Sequence, residues 1–470
     1  MVYNMGKKYD YIVVGSGPAG HSSAITAAKM GLKTALVEQS AEMLGGVCLN
    51  EGCIPAKALY SSARLLLKAR KDPAVFGPVK EPSADTISEM VSKSMRASDE
   101  LKRGLRSHLE KLGIEFIEAR AMFVDGGRLS LDASGNGGSV YESRNILIAT
   151  GSCPRVLPRV SFDGKRVISS SEAVRLNYIP QKTLIIGAGA VGVEFACFFA
   201  SMGSKVTLIE KESAVLPAED KDLSSAMRII LKKKGVSIFT SCSLERISVN
   251  DDKVSVRFSS PVGETAEDHD TVIVSIGRVP STSGMGLEKA GVSVDDNGYI
   301  PVDASMRTNI PGIYAAGDVV PGPMLAHVAQ VEGEQAAFAA AGKDPEPIDY
   351  TSIPNAVYTD IQAASVGFTQ ERAESMGAGI VTGKSFFKAN GKAVASGESE
   401  GFVKIVADGS TRSVLGAHIV GAAATEMIHE FALARRKGLT VDDIAMTVHA
   451  HPTFSESASL AAKEILFKLG

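Results

Sequence analysis

Cysteine is scarce in this chain of 470 residues: there are five, and two of them sit five positions apart in GGVCLNEGCIPAK, residues 45 to 57. So few cysteines argue against a disulfide-stapled secreted scaffold. Charge of one sign is scarce as well. Acidic and basic residues nearly cancel to a net charge of -3, and no run of lysines and arginines with interleaved aromatics appears, so no nucleic-acid partner is expected. The residues ahead of the first apolar run, MVYNMGKKYD, are too short for a signal or transit peptide, which leads us to expect a cytoplasmic protein. Long uninterrupted hydrophobic runs are also missing. The two candidates, YIVVGSGPAGHSSAITAAKMG and TLIIGAGAVGVEFACFFASMG, are broken early by clustered glycines, so each is read as strand, tight turn and helix, and no membrane span is expected.

With 44% hydrophobic and 22% charged residues, the composition is that of an ordinary globular protein, and its length calls for two to four domains. The two glycine-rich stretches match each other. Gly15, Gly17 and Gly20 recur 172 residues later as Gly187, Gly189 and Gly192, and in both copies an acid, Glu38 or Glu210, ends a second strand 23 positions after the first glycine. The first glycine makes a tight turn, the second admits a pyrophosphate to the backbone, and the third lets helix pack on strand, with the helix N-terminus facing phosphate. The acid anchors an adenosine ribose. Two such units in one chain predict electron transfer between two dinucleotides. A carboxylate at Glu210 would repel a ribose 2'-phosphate, so NAD is expected there over NADP, with Lys211 next door working the other way.

The cysteine pair admits three readings. Zinc would need further ligands at short spacing, and Cys153, Cys197 and Cys242 stand alone, each read as a buried small hydrophobe; no metal is expected. A structural staple closing so short a loop would restrict the unfolded chain little. A redox-active dithiol within the first nucleotide unit remains.

GGVCLNEGCIPAK, both glycine motifs, GRVP at 277 to 280, YAAGDV at 314 to 319, PMLAH at 323 to 327 and HAHPTFSE at 449 to 456 together resemble the dihydrolipoamide (lipoamide) dehydrogenase family, within the flavin-dependent pyridine nucleotide-disulfide oxidoreductases. The resemblance runs from about residue 9 to about 465. It implies an α/β fold of two Rossmann-like dinucleotide-binding domains plus a C-terminal α+β dimerisation domain. The FAD-binding domain would comprise residues 1-151 and, after the NAD-binding domain at 152-277, a second part at 278-350; the interface domain would be 351-470. The implied cofactors are FAD and NAD, in a homodimer.

By the same resemblance Cys48 is the thiol that meets substrate and Cys53 the thiolate beside the flavin. FAD would contact Gly15, Gly17, Pro18, Ala19 and Gly20 of the first loop, then Glu38, Gly46, Val47 and Lys57. Ala121, Thr150, Gly151, Ser152 and Asp318 would follow, with Met324, Leu325, Ala326 and His327 completing the set. NAD would contact Gly187, Gly189, Ala190, Val191 and Gly192, with Glu194, Glu210, Leu244 and Gly277. Lys57 and Glu194 are expected to pair near the flavin.

The HPTFSE segment supplies what a dithiol reaction needs: His451 as a base with a pKa near neutrality, and Glu456 to orient it and stabilise its charged form. His449 has no matched role. In the family this histidine reaches the disulfide of the other subunit, so activity should require the dimer. The implied reaction is oxidation of protein-bound dihydrolipoamide to lipoamide with reduction of NAD. The lipoyl group would arrive on another protein, either at the acyltransferase core of a 2-oxoacid dehydrogenase complex or on the glycine cleavage H protein. The alternative is another NAD(P)H-dependent disulfide or metal-ion reductase with the same machinery. A non-catalytic complex subunit or nicotinamide sensor is the reading from a different class, and a scaffold would need none of the cysteine, histidine and glutamate set. Some positions depart from the family pattern: Asp360-Ile361-Gln362 stands where Pro-Glu commonly follows YT, Val328 and Gln330 follow PMLAH, and Ala422 replaces a common proline.

Overall fold

The computed structural model describes residues 5–133, 138–158, 160–377 and 379–470. The chain folds as two compact units. The first comprises the described residues of Met1–Leu59, Ser88–Arg155 and Gly277–Ile348, and the second those of Tyr60–Ile87, Val156–Ile276 and Asp349–Gly470.

The first unit is built on a seven-stranded sheet. Strand Met5–Val14 lies parallel to Thr34–Glu38 on one side and to Ser139–Ile148 on the other, and Glu115–Glu118 extends the parallel part beyond Thr34–Glu38. Strand Ser139–Ile148 is shared along its length. Its first half pairs antiparallel with Arg128–Asp132, and its last residues pair parallel with Ile313–Ala315. The continuous apolar run Tyr11–Val14 at the end of this strand follows from burial on both faces. Tyr11 and Val13 pack with Ala24, Ala27, Ala336 and Ala337 from helices Pro18–Lys29 and Ala326–Ala340, while Ile12 and Val14 pack with Phe123, Leu129 and Val319 on the other face.

The second unit contains a five-stranded parallel sheet in the order Ser237–Phe239, Lys205–Ile209, Lys182–Ile186, Thr271–Val274, Val167–Ile168. Helix Ala190–Ser201 follows Lys182–Ile186 as helix Pro18–Lys29 follows Met5–Val14, so the repeat read from the glycines is a repeat of strand, turn and helix. Both glycine-broken apolar stretches are interrupted in this way, and among the described residues no helix is long and apolar enough to cross a membrane. A three-stranded antiparallel sheet, residues 243–269, and a five-stranded antiparallel sheet from Asn355–Val357 to Val414–Gly421 complete the unit. Helices Ala424–Lys437 and Glu456–Leu469 pack against the latter through Ile428, Phe431, Ala461 and Ile465.

One ion pair is enclosed in this second unit. Lys404, in the buried strand Phe402–Asp408, places Nζ 2.9 Å from both carboxylate oxygens of Asp220 and 2.8 Å from Asp222; the side chains of Lys404 and Asp220 are 3% and 0% exposed. Asp220 also caps helix Lys221–Lys233 by accepting from the Asp222 amide. Removing the ammonium alone strands a buried carboxylate. Lys404→Met should therefore cost about 3–5 kcal/mol of unfolding free energy in urea at neutral pH, and adding Asp220→Asn should recover part of it.

Candidate active site

Both glycine loops are shaped by the same contacts. Gly15 has φ +100° and Gly187 +102°, a left-handed backbone that disfavours any side chain, and a Cβ there would lie 2.2 Å from the Ala149 carbonyl oxygen or 2.5 Å from that of Ser275. A Cβ on Gly20 would lie 1.8 Å from the Gly15 oxygen, and one on Gly192 1.9 Å from the Gly187 oxygen. The middle glycines differ from these: Gly17 and Gly189 face open space, and each is the N-cap of its helix with no side chain covering the helix end. Uncovered amides and a cradle without side chains are what a pyrophosphate requires. The residues present therefore fit two dinucleotides, with Pro18 and Ala19 opening the first helix and Ala190 and Val191 the second.

The acids close both loops in parallel fashion. Glu38 accepts from the Ser16 amide at 2.9 Å, the Ser16 hydroxyl at 2.7 Å and the Gln39 amide at 2.7 Å. Glu210 accepts from the Ala188 amide at 2.5 Å and the Glu212 amide at 2.8 Å. Each carboxylate is thus tied to the residue after the first glycine of its loop, and retains lone pairs for a hydroxyl donor.

The cysteine segment lies directly on the first loop. A Cβ on Gly46 would be 2.6 Å from Gly17 Cα, and the Gly45 amide donates to the Ser16 hydroxyl at 3.1 Å. Buried Asn50 pins this turn by donating to the carbonyls of Leu44 and Gly46 at 3.0 and 2.9 Å. Cys48, next to Val47, lies in helix Gly46–Asn50, and Cys53 begins helix Cys53–Lys71. Between them Gly52 approaches so closely that a Cβ would meet the Val47 oxygen at 3.1 Å. The Cys48 and Cys53 thiols are joined by a hydrogen bond. That bond, and then burial, push the Cys48 thiol far above its ordinary range, while the charge of Lys57 pulls weakly the other way.

The remaining positions expected at FAD fall in the same unit. Ala121 is buried in strand Arg120–Asp125, and Met324 and Leu325 lead into helix Ala326–Ala340, which begins Ala326-His327. The Thr150 hydroxyl donates to the Ser281 carbonyl at 2.7 Å, and the Ser281 amide donates to the Gly151 carbonyl at 2.8 Å. Ser152 donates its hydroxyl to Asp318. Of the positions expected at NAD, Glu194 and Leu244 lie in the second unit with the glycine loop and Glu210, and Gly277 opens the last segment of the first. Glu194 is 5% exposed and accepts from the Tyr358 amide at 2.8 Å.

His451 and Glu456 are brought together in the second unit. His451 Nδ1 is 2.9 Å from Glu456 Oε1, while Glu456 Oε2 accepts from the Thr453 amide at 2.8 Å. The hydrogen bond with His451 is the largest cause holding the Glu456 carboxyl below the ordinary carboxylate range. The imidazole is 77% exposed, so with Nδ1 engaged, Nε2 is the nitrogen left for proton transfer. His449 is different. It is 8% exposed, with Nδ1 at 3.0 Å from the Thr447 carbonyl and Nε2 at 3.1 Å from Glu430, a structural histidine.

Two residues behave otherwise than their sequence context suggests. Cys153 is exposed, not a buried hydrophobe, because its three-residue strand Ser152–Pro154 pairs only with Arg278–Pro280, while Cys197 and Cys242 are buried as expected. Arg278, the arginine of GRVP, holds a position that the motif alone does not disclose. Its Nε donates to the Ser152 hydroxyl and its Nη2 to the Ser152 carbonyl, both at 2.6 Å, and Nε stands 3.9 Å from Asp318. The guanidinium thus fixes both Ser152 and the carboxylate that Ser152 serves. Arg278→Gln should weaken FAD retention about tenfold, read as faster flavin release in mild chaotrope, and Arg278→Lys should recover only part because one amine cannot reproduce the fork.

Comparison with known proteins agrees with this geometry. Residues 9–333 match the family described as pyridine nucleotide-disulphide oxidoreductase, and residues 353–462 match its dimerisation domain. The dihydrolipoyl dehydrogenase of Chlorobaculum tepidum is 39% identical over 467 residues, covering 98% of each chain. Among solved structures, LpdA from Mycobacterium tuberculosis superposes with a TM-score of 0.88 at 28% identity, covering 96% of this chain and 99% of that one. The flavoprotein disulfide reductase RclA of Escherichia coli, solved with Cu(II), gives 0.86 at 28% identity, covering 97% and 99%. The architecture, the paired dinucleotide cradles and this full-length similarity place the chain in the pyridine nucleotide-disulphide oxidoreductase family.

Proposed function

We propose that the chain oxidises protein-bound dihydrolipoamide to lipoamide and reduces NAD to NADH, as the dihydrolipoyl dehydrogenase component of a larger system. The observation that carries this reading is the hydrogen-bonded Cys48–Cys53 pair held against the first glycine loop. FAD and NAD are the cofactors, and FAD when bound supplies a two-electron relay between thiol chemistry and hydride transfer.

The protein's own residues carry the thiol half. Starting from the oxidised pair, His451 Nε2 takes the proton of a substrate thiol, and the resulting thiolate attacks the sulfur of Cys48, breaking the Cys48–Cys53 bond and forming a mixed disulfide. The second substrate thiol attacks the substrate sulfur of that mixed disulfide, closes the lipoyl ring and passes its proton to the departing Cys48 sulfur, while His451 keeps the first proton. Two electrons now reside on the pair. With Cys48 protonated, Cys53 is left as the thiolate, the sulfur that the family resemblance assigns to the cofactor. Glu456 keeps His451 in the tautomer with Nε2 free and stabilises its imidazolium. Glu38 and Glu210 would hold the two adenosine riboses, and by the family resemblance Lys57 would serve FAD and Glu194 would serve NAD.

The dimerisation domain supports a homodimer. His451 then serves the disulfide of the other subunit, and the lipoyl group is presented by the acyltransferase core of a 2-oxoacid dehydrogenase complex or by the glycine cleavage H protein, in the cytoplasm. A second reading has one supporting observation, the likeness to RclA: a reductase of another disulfide or of a metal ion.

Anaerobic addition of dihydrolipoamide to the holoenzyme should give long-wavelength thiolate-to-flavin absorbance, and NADH on subsequent addition of NAD. No response to the dithiol, with rapid NADPH oxidation by another disulfide or by Cu(II), would replace this reading with the second. Two variants should separate the roles. Cys48→Ser should abolish lipoamide turnover with FAD still bound, and His451→Gln should lower turnover by at least about a hundredfold at normal FAD content; an unchanged rate for either removes that residue from the mechanism.

A further inference from the structure

The tip of the hairpin joining Asn355–Val357 to Gln362–Gly367 carries the Asp360-Ile361-Gln362 stretch, which stands where Pro-Glu commonly follows YT in the family. Asp360 is engaged on both oxygens. Cys197 donates its thiol to Oδ1 at 3.1 Å, and Lys234 Nζ lies 2.7 Å from Oδ2, with the Asp360 and Lys234 side chains 11% and 16% exposed. Lys234 Nζ also lies 3.4 Å from the Ser201 hydroxyl. Burial alone would raise the Asp360 carboxyl, but Lys234 more than offsets it and holds the group below its ordinary range. Burial, and then the charge of Asp360, push the Cys197 thiol up to about 12, so this cysteine serves as a hydrogen-bond donor and not as a nucleophile.

The crevice bordered by Glu194, Cys197, Ser201 and Asp360 has a volume of about 10 Å³, enough for one water and no ligand. The charges at Asp360 therefore serve the protein's own geometry. Cys197 lies one turn beyond Glu194 on helix Ala190–Ser201, and Lys234 caps the C-terminus of helix Lys221–Lys233. The hairpin tip is thus fastened to both helices, and the fastened tip presents the Tyr358 amide to Glu194 at 2.8 Å.

We propose that Asp360 is a positioning residue for Glu194: by fastening the hairpin tip to Cys197 and Lys234 it sets the orientation of the Glu194 carboxylate, and so tunes the nicotinamide half of the reaction without touching the thiol half. This rests on the function proposed above. An amide at 360 keeps the shape and loses the ion pair, leaving the Tyr358 amide free to drift from Glu194. A displacement of this kind affects the step that Glu194 serves.

Rapid mixing of the holoenzyme with NADH, and separately with dihydrolipoamide, distinguishes the two halves. Asp360→Asn should slow flavin reduction by NADH about tenfold, with flavin reduction by dihydrolipoamide and FAD content unchanged. Lys234→Met should do the same, and the double variant should add little, because both changes remove one ion pair. Asp360→Glu should restore part of the NADH rate. Equal losses in both half-reactions, or a lowered melting temperature with both rates kept, would overturn the proposal. Wild-type protein that reacts with NADH but not with dihydrolipoamide would instead remove the function proposed above, leaving the effect of Asp360 on the NADH reaction still readable.

Discussion

The contact on which both cofactor sites depend is a bare Cα against a carbonyl. Gly20 rests on the oxygen of Gly15, and Gly192 on that of Gly187, at separations that no side chain could share. That contact seats each helix on its strand and aims the helix amides at the loop. From it follow the uncovered Gly17 and Gly189, the short reach of Glu38 and Glu210 to the residue behind the first glycine, and in the first unit the close passage of Gly46 over Gly17. The dithiol inherits its place from this arrangement. Ser16 and Asn50 carry the constraint from the loop to the turn before Cys48, and Gly52 closes the distance to Cys53.

The second unit is held together differently. Its charged groups fasten elements that meet from distant parts of the chain: Lys404 to Asp220, Lys234 to Asp360, Glu194 to the Tyr358 amide. Each joins the region around the parallel sheet to the antiparallel region that follows residue 350. A buried ion pair adds little net stability over a well-packed apolar contact but is intolerant of misplacement, which suits it to fixing register. His451 and Glu456 belong to the same pattern, except that the imidazole is left exposed where it can exchange protons.

Much of this architecture is legible in the amino-acid sequence. The period of the glycines and the acid 23 residues on are local, because strand, turn and helix are built from consecutive residues, and the pairing of His451 with Glu456 spans a single turn. Buried strands read as continuous apolar runs for the same local reason. What escapes such a reading is non-local. Arg278 reaches back more than a hundred residues to Ser152, and Asp360 reaches Cys197 and Lys234 across similar distances, so no spacing rule could nominate them. The signals in the sequence are indirect: an arginine inside the GRVP motif, and an Asp-Ile-Gln stretch where Pro-Glu is usual. Cys153 escapes because alternation along three residues says nothing about which face of so short a ribbon is covered.

The exposure of Cys153 bears on how the redox state of this enzyme is counted. A thiol-directed alkylating reagent reaches Cys153 whatever the state of Cys48 and Cys53, whereas Cys197 and Cys242 are shielded by burial. A bulk thiol titration of the native protein therefore carries a constant background of one sulfhydryl per chain, and only the increment above it reports the oxidation of Cys48 and Cys53.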